Sequence, residues 1–196
     1  VSKTSIIIPV HMAKELLGKC IASIRNHTDI PYEIIVIDNG SNDGTDEYCR
    51  KERITFVSLP WKHAVSDACN LGLRLSTGEN LLLLKHDVLA SRKWLSGMLQ
   101  GLNSQDDIGI VRPSLTPIQI HQNKHVADED VLERCILFKR DLLNKIGFLQ
   151  TPQLFADRVF HDYCSRASQA GYQLMIAGKV KLNPDSTIER VAAHTP

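Results

Sequence analysis

Four continuous apolar runs constrain this chain more than any other feature. They are "TSIIIPV" at residues 4–10, "YEIIVID" with its centre at Ile34–Ile37, "ITFVSLP" from Ile54, and "NLLLLK" from Asn80. None alternates apolar with polar residues, as a strand with one wet face would. Short unbroken runs of this kind are strands buried on both faces, which points to a parallel sheet covered by helices. The intervening segments fit that reading. "KELLGKCIASIRNHT" sets Leu16, Leu17, Cys20, Ile21 and Ile24 at helical spacing. "TDEYCRKE" reads as a helix with Thr45 at its N-cap, and "VSDACNLGLRLST" as a helix stopped near Gly78. "SRKWLSGMLQGL" reads as a helix capped by Ser91. Strand and helix therefore alternate through the first half, which predicts an α/β fold.

The second half is less regular. "IGIVRPSL" and "RCILFKR" read as strands, "DLLNKIG" as a short helix, and "FHDYCSRASQAGYQLMIAG" as a helix followed by a strand. The segment "TPIQIHQNKHVADEDVLE" is polar and loop-like.

Composition narrows the function. A chain of 196 residues is long enough for one domain with a full core. Its net charge is +1 and its basic residues never form a run, so neither nucleic acid nor a membrane surface is an expected partner. Five cysteines, an odd number with no CxxC pair, suggest neither a zinc ribbon nor a redox dithiol. Buried, inert thiols in a reducing compartment are expected, hence a cytoplasmic location. No segment approaches the roughly 18–20 apolar residues needed to cross a bilayer.

In open α/β sheets ligands bind at the carboxyl ends of the strands. Those ends read Pro9-Val10-His11, then Asp38-Asn39-Gly40-Ser41, then Lys85-His86-Asp87. Polar side chains from three separate places thus converge on one cleft. Carboxylates there can accept hydrogen bonds from a base or sugar, or hold a divalent cation that neutralises phosphates. The glycine-rich phosphate loops GxGxxG and GxxxxGK[ST] are absent, which disfavours a P-loop or a Rossmann dinucleotide site.

The segments "SIIIPVHMAKELLGKCIASI", "YEIIVIDNGSNDGT", "DACNLGLRLSTGENLLLLKHDV", "WLSGML", "IGIVRP", "CILFKRDLLNKIG" and "DYCSRASQAGY" occur in this order. Together they resemble the family 2 glycosyltransferases of the GT-A fold. The resemblance implies a mixed, Rossmann-like GT-A sheet in one domain over residues 1–196. Residues 1–100 would be its nucleotide-binding half. Residues 101–196 would be an acceptor-side half shorter than the family's. It also implies sugar transfer from a nucleotide-sugar donor to an acceptor hydroxyl in glycan or polysaccharide synthesis, with inversion and metal assistance.

Residue by residue, the resemblance assigns donor binding to Pro9, Val10, His11, Asp38, Lys85, His86 and Asp87. Asp38 would accept the N3–H of a uracil-like base, which favours UDP or dTDP donors. Asp43 would cap its turn, and Asn70 would order a loop. Asp87 matches the last acid of the family's DXD motif, but Lys85 stands where the first acid should be. Asp87, His86 and His194 would then hold a divalent metal, Mn²⁺ in preference to Mg²⁺ because of the nitrogen ligands. Alternatively, Lys85 would meet the diphosphate directly. Val159-Phe160 stand where the family carries Glu-Asp, so the general base falls to Asp162 or His161, with Asp157 as a further choice. Those departures also allow a degenerate binding or scaffold domain.

Overall fold

The computed structural model describes residues 2–115, 134–151 and 158–184. Strands β1 (Thr4–Val10), β2 (Tyr32–Asp38), β3 (Thr55–Ser58) and β4 (Asn80–Leu84) lie in the order β3-β2-β1-β4, all parallel. Strand β7 (Cys135–Lys139) runs antiparallel to β4 and to β6 (Ile108–Leu115). Strand β8 (Gln173–Pro184) is parallel to β6, and its end pairs with the two-residue β5 (Val88–Leu89). The sheet is mixed, with the parallel N-terminal half expected from the sequence.

The unbroken leucine run follows from where each face packs. Leu82 and Leu84 join Ile6, Ile8 and Val10 on one face, under helices α1 (Lys14–His27) and α4 (Trp94–Leu102). Leu81 and Leu83 join Ile7 on the other face. That face lies under α3 (Val65–Leu75), α5 (Arg140–Ile146) and α6 (Val159–Gln169). A strand with period two and helices on both sides must be apolar at every position. Helix α3 comes so close to the sheet that a Cβ on Gly72 would lie 2.3 Å from Ile7 Cγ2.

Several local expectations need correction. Helix α2 (Thr45–Lys51) has Gly44, not Thr45, at its N-cap. The capping carboxylate is that of Asp43, which accepts hydrogen bonds from the Thr45 amide and hydroxyl and from the Lys14 amide. One acid therefore ties the starts of α1 and α2 together, in line with the capping role expected of it. Helix α4 begins at Trp94 behind Lys93, whose φ is 59°, rather than at a Ser91 cap. Helix α3 ends at Leu75, before Gly78. Gly78 serves a close approach instead, since a Cβ there would meet Lys3 O at 2.7 Å.

All five cysteines are buried and none is in a disulfide. Burial pushes the Cys20 and Cys135 thiols far up and the Cys49 thiol to about 12. Thiols held in that state are unreactive. Among the described residues no helix is long and apolar enough to cross a membrane.

Candidate functional site

Parallel strands place their carboxyl ends on one edge. The register Val10↔Asp38 and Asp38↔Ser58 sets the ends of β1, β2 and β3 side by side. The antiparallel pair Leu84↔Cys135 brings Arg134, just before β7, against Lys85 on that same edge.

The β2 end is tightly bonded. Asp38 is 2% exposed. Its Oδ1 accepts from the Ser41 amide at 3.1 Å and its Oδ2 from Ser58 Oγ at 2.9 Å. Each carboxylate oxygen keeps one further lone pair. Asn39 locks the loop after β3. Its side chain accepts from His63 N at 2.8 Å and donates to His63 O at 3.0 Å. Gly40, with φ 75°, passes so close to that loop that a Cβ would lie 2.5 Å from the Trp61 carbonyl carbon. No L side chain fits there. Trp61, 65% exposed, stacks on His63 with ring centroids 5.7 Å apart. An open aromatic face therefore stands beside the β2 end.

The β1 end uses its backbone internally. Val10 O accepts the Asn39 amide at 2.8 Å. His11 Nδ1–H donates to Asn39 O at 2.9 Å, because a carbonyl can only accept. Pro9 O likewise receives Nδ1–H of His86 at 3.3 Å. Both imidazoles therefore turn Nε2 away from these bonds. Burial lowers the His86 pKa, so its ring is neutral at pH 7 and Nε2 carries a lone pair.

The β4 end carries the charges. Lys85 is exposed, and its amide donates to Arg134 O at 2.8 Å. Asp87 is 9% exposed. Its Oδ2 accepts from Arg134 Nη1 at 2.5 Å, while Oδ1 is buried with no hydrogen-bond partner among the described residues. A buried carboxylate oxygen left unpaired is costly unless something else uses it. Among the described residues no three His, Cys, Asp or Glu side chains form a metal cluster. Divalent cations at phosphate sites, however, commonly take one or two carboxylates and draw their remaining ligands from phosphate and water. The Asp87 Oδ1 left without a partner among the described residues, with the imidazole of His86 next to it in sequence, fits that arrangement. His194 and Asp157 lie outside the described residues.

The proposed bases sit on α6. Its eleven residues span about 16 Å. They run back from β8, whose first residue bonds at the far edge through Gln173 N to Asp107 O, 2.8 Å. The first turn of α6, with His161 and Asp162, thus returns toward the edge that bears Asp87. His161 is exposed. Asp162 Oδ2 accepts from Arg166 Nε at 3.0 Å, and Arg166 also donates to the carbonyls of Ile146 and Phe148. The carboxylate is therefore part of a tether between α5 and α6. Val159 and Phe160 are buried in the core. Asn70 exchanges two hydrogen bonds with the Leu149 backbone, at 2.9 and 3.0 Å, and so orders a loop as expected.

Sequence reasoning missed Arg134, the Asn39–His63 lock and the Trp61 face. The one available signal for Arg134 was a charge placed directly before an apolar strand.

A parallel β3-β2-β1-β4 sheet, continued by an antiparallel β7 and bearing polar strand ends, is the GT-A fold of the glycosyltransferases. The mannosyltransferase PcManGT from Pyrobaculum calidifontis, solved in complex with GDP-Man and Mn²⁺, superposes with a TM-score of 0.76 at 23% identity. The match covers 94% of this chain and 57% of that one. The profile of glycosyl transferase family 2 matches residues 5–161, and the chain belongs to that family. Glycosyltransferase AglE of Haloferax volcanii is 26% identical over 205 residues, covering 90% of this chain and 64% of AglE. Chondroitin synthase of Escherichia coli is 25% identical over 161 residues, covering 79% of this chain and 22% of the synthase. The chain thus spans less than two thirds of the length of these relatives.

Proposed function

We propose that the chain is a donor-binding glycosyltransferase domain that moves a sugar from a nucleoside diphosphate to an acceptor hydroxyl with inversion. The observation that carries the reading is the β4 end. Asp87, which follows the neutral His86, offers a buried carboxylate oxygen without a partner among the described residues, on the edge where Asp38 and His11 also end. The base and ribose would lie over the ends of β1 and β2, against Pro9, Val10 and His11. A uracil or thymine N3–H would use a remaining lone pair of Asp38, which favours UDP or dTDP. The GDP-Man bound by the Pyrobaculum enzyme makes GDP the necessary comparison.

Asp87 and His86, with His194, would hold a divalent cation, Mn²⁺ in preference to Mg²⁺, whose chemistry is to neutralise the leaving diphosphate. Lys85 adds positive charge on the same side. The acceptor oxygen attacks the anomeric carbon as the bond to the diphosphate oxygen breaks. Asp162, or His161 beside it, takes the acceptor's proton. The reading extends to a single domain with its donor half in residues 1–100, working in the cytoplasm.

One observation favours the alternative of a degenerate binding domain. Val159 and Phe160, at positions where the resemblance would place acids, are packed into the core. A donor-turnover assay with UDP-, dTDP- and GDP-sugars separates the two. Turnover that Asp162→Asn reduces while leaving nucleotide affinity intact supports the enzyme. Tight nucleotide binding with no turnover of any donor supports the binding domain.

A further inference from the structure

Arg134 belongs to none of the motifs that define the site, yet it makes the only hydrogen bond that Asp87 receives among the described residues. Its backbone is fixed, because Arg134 O accepts the Lys85 amide. Its side chain crosses from the start of β7 to the end of β4 and stays 25% exposed. A purely structural arginine–carboxylate pair favours a two-pronged fork, with both oxygens engaged. Here one nitrogen meets Oδ2, and Oδ1 is left buried and unpartnered among the described residues. The pair therefore neutralises the carboxylate without satisfying it.

The charges at this edge explain what such a pair does. Lys85, Asp87 and Arg134 carry formal charges of +1, −1 and +1. A divalent cation arriving alone at Asp87 meets the positive charges of Lys85 and Arg134, and taking the carboxylate from Arg134 leaves the guanidinium without its counter-charge. A cation arriving with a diphosphate meets a different balance, since the phosphates supply negative charge for both the metal and the displaced guanidinium. Guanidinium suits phosphate oxygens as well as it suits a carboxylate.

We infer that Arg134 is a positioning residue of the donor site: it holds Asp87 while the site is empty, opposes binding of a divalent cation without nucleotide, and passes to the donor diphosphate when the cation takes the carboxylate. The inference rests on the donor-site reading above. It makes cation and donor bind together, and it adds a cationic diphosphate contact where the motif lacks its first acid.

The test uses the whole chain, with Mn²⁺ alone and then UDP and GDP as probes. Free Mn²⁺ is followed by electron paramagnetic resonance in the wild type, Arg134→Gln and Arg134→Lys. Nucleotide affinity is then measured by calorimetry at saturating Mn²⁺. Arg134→Gln is expected to bind Mn²⁺ alone about tenfold more tightly, because its carboxylate is no longer occupied, and the diphosphates about tenfold more weakly. Arg134→Lys keeps the charge and should stay near the wild type in both measurements, which keeps the test open if the glutamine variant does not fold. Wild-type Mn²⁺ affinity in Arg134→Gln, or undiminished diphosphate affinity, overturns the inference. A wild type that binds neither nucleotide rejects the donor-site reading instead, and the Mn²⁺ arm still decides whether Arg134 competes for Asp87.

Discussion

The edge of the sheet opposite the candidate site provides the sharpest test of how the fold is held. There Glu33 accepts hydrogen bonds from Lys3 Nζ at 3.0 Å, Ser5 Oγ at 2.6 Å, and the Thr77 amide and hydroxyl at 2.9 Å each. One carboxylate thus ties together β1, β2 and the link into β4. Burial raises its pKa, but the bonds from Ser5, Thr77 and Lys3 outweigh burial and bring it from 4.5 to about 2. The folded value lies below the unfolded one. The resulting stability is therefore fully present above pH about 4.5 and is lost as the pH falls toward 2. Converted in full, the difference is about 3 kcal/mol. Lys3 is 40% exposed, so screening reduces the expected effect to about 1–2 kcal/mol. Urea unfolding of wild type and Glu33→Gln from pH 7 to pH 2 measures it. The variant should be less stable by that amount at pH 7, with the gap closing between pH 4.5 and 2. A gap that is absent at pH 7, or that stays constant with pH, would show that the Glu33 bonds do not hold this edge.

Further outcomes are expected elsewhere. Leu83→Ala removes a fully buried side chain packed against the second core cluster and should cost about 3 kcal/mol in the same unfolding assay. Gly40→Ala forces a side chain into a left-handed turn and against the Trp61 backbone. A loss of at least about 2 kcal/mol is expected, with weakened nucleotide affinity by calorimetry. None of the five cysteines should react with a thiol reagent until the chain is denatured, as a spectrophotometric titration with and without urea would show.

The fold was legible because strand burial leaves a mark in the sequence. Runs without alternation meant strands covered on both faces, and Leu81–Leu84 do split between two cores, but β3 lies at the sheet edge with Thr55 and Ser58 exposed, so it is not covered in that way. The strand ends were legible for the same reason, since Asp38 and Lys85-His86-Asp87 interrupt runs that otherwise stay apolar. Cap positions were less so. Thr45 and Ser91 are good cap residues by type, but at α2 the capping carboxylate comes from Asp43, two residues earlier, and α4 starts behind Lys93. Arg134 and Glu33 were invisible because their meaning depends on partners 47 and 28–44 residues away, and only the folded sheet defines those distances. Lys85 shows the reverse difficulty. Its charge after the leucine run is plain in the sequence, but the Arg134 that the fold brings against it is not.

The proposed function depends above all on a donor-diphosphate site at the β4 end, built on Asp87. Calorimetric titration of UDP, dTDP and GDP with Mn²⁺ into the wild type and Asp87→Ala tests it most directly. At least one nucleotide is expected to bind the wild type, more tightly with Mn²⁺ than without, and to lose about tenfold or more in affinity in Asp87→Ala. A wild type that binds none of the three, or an Asp87→Ala variant that binds as the wild type does, would contradict it.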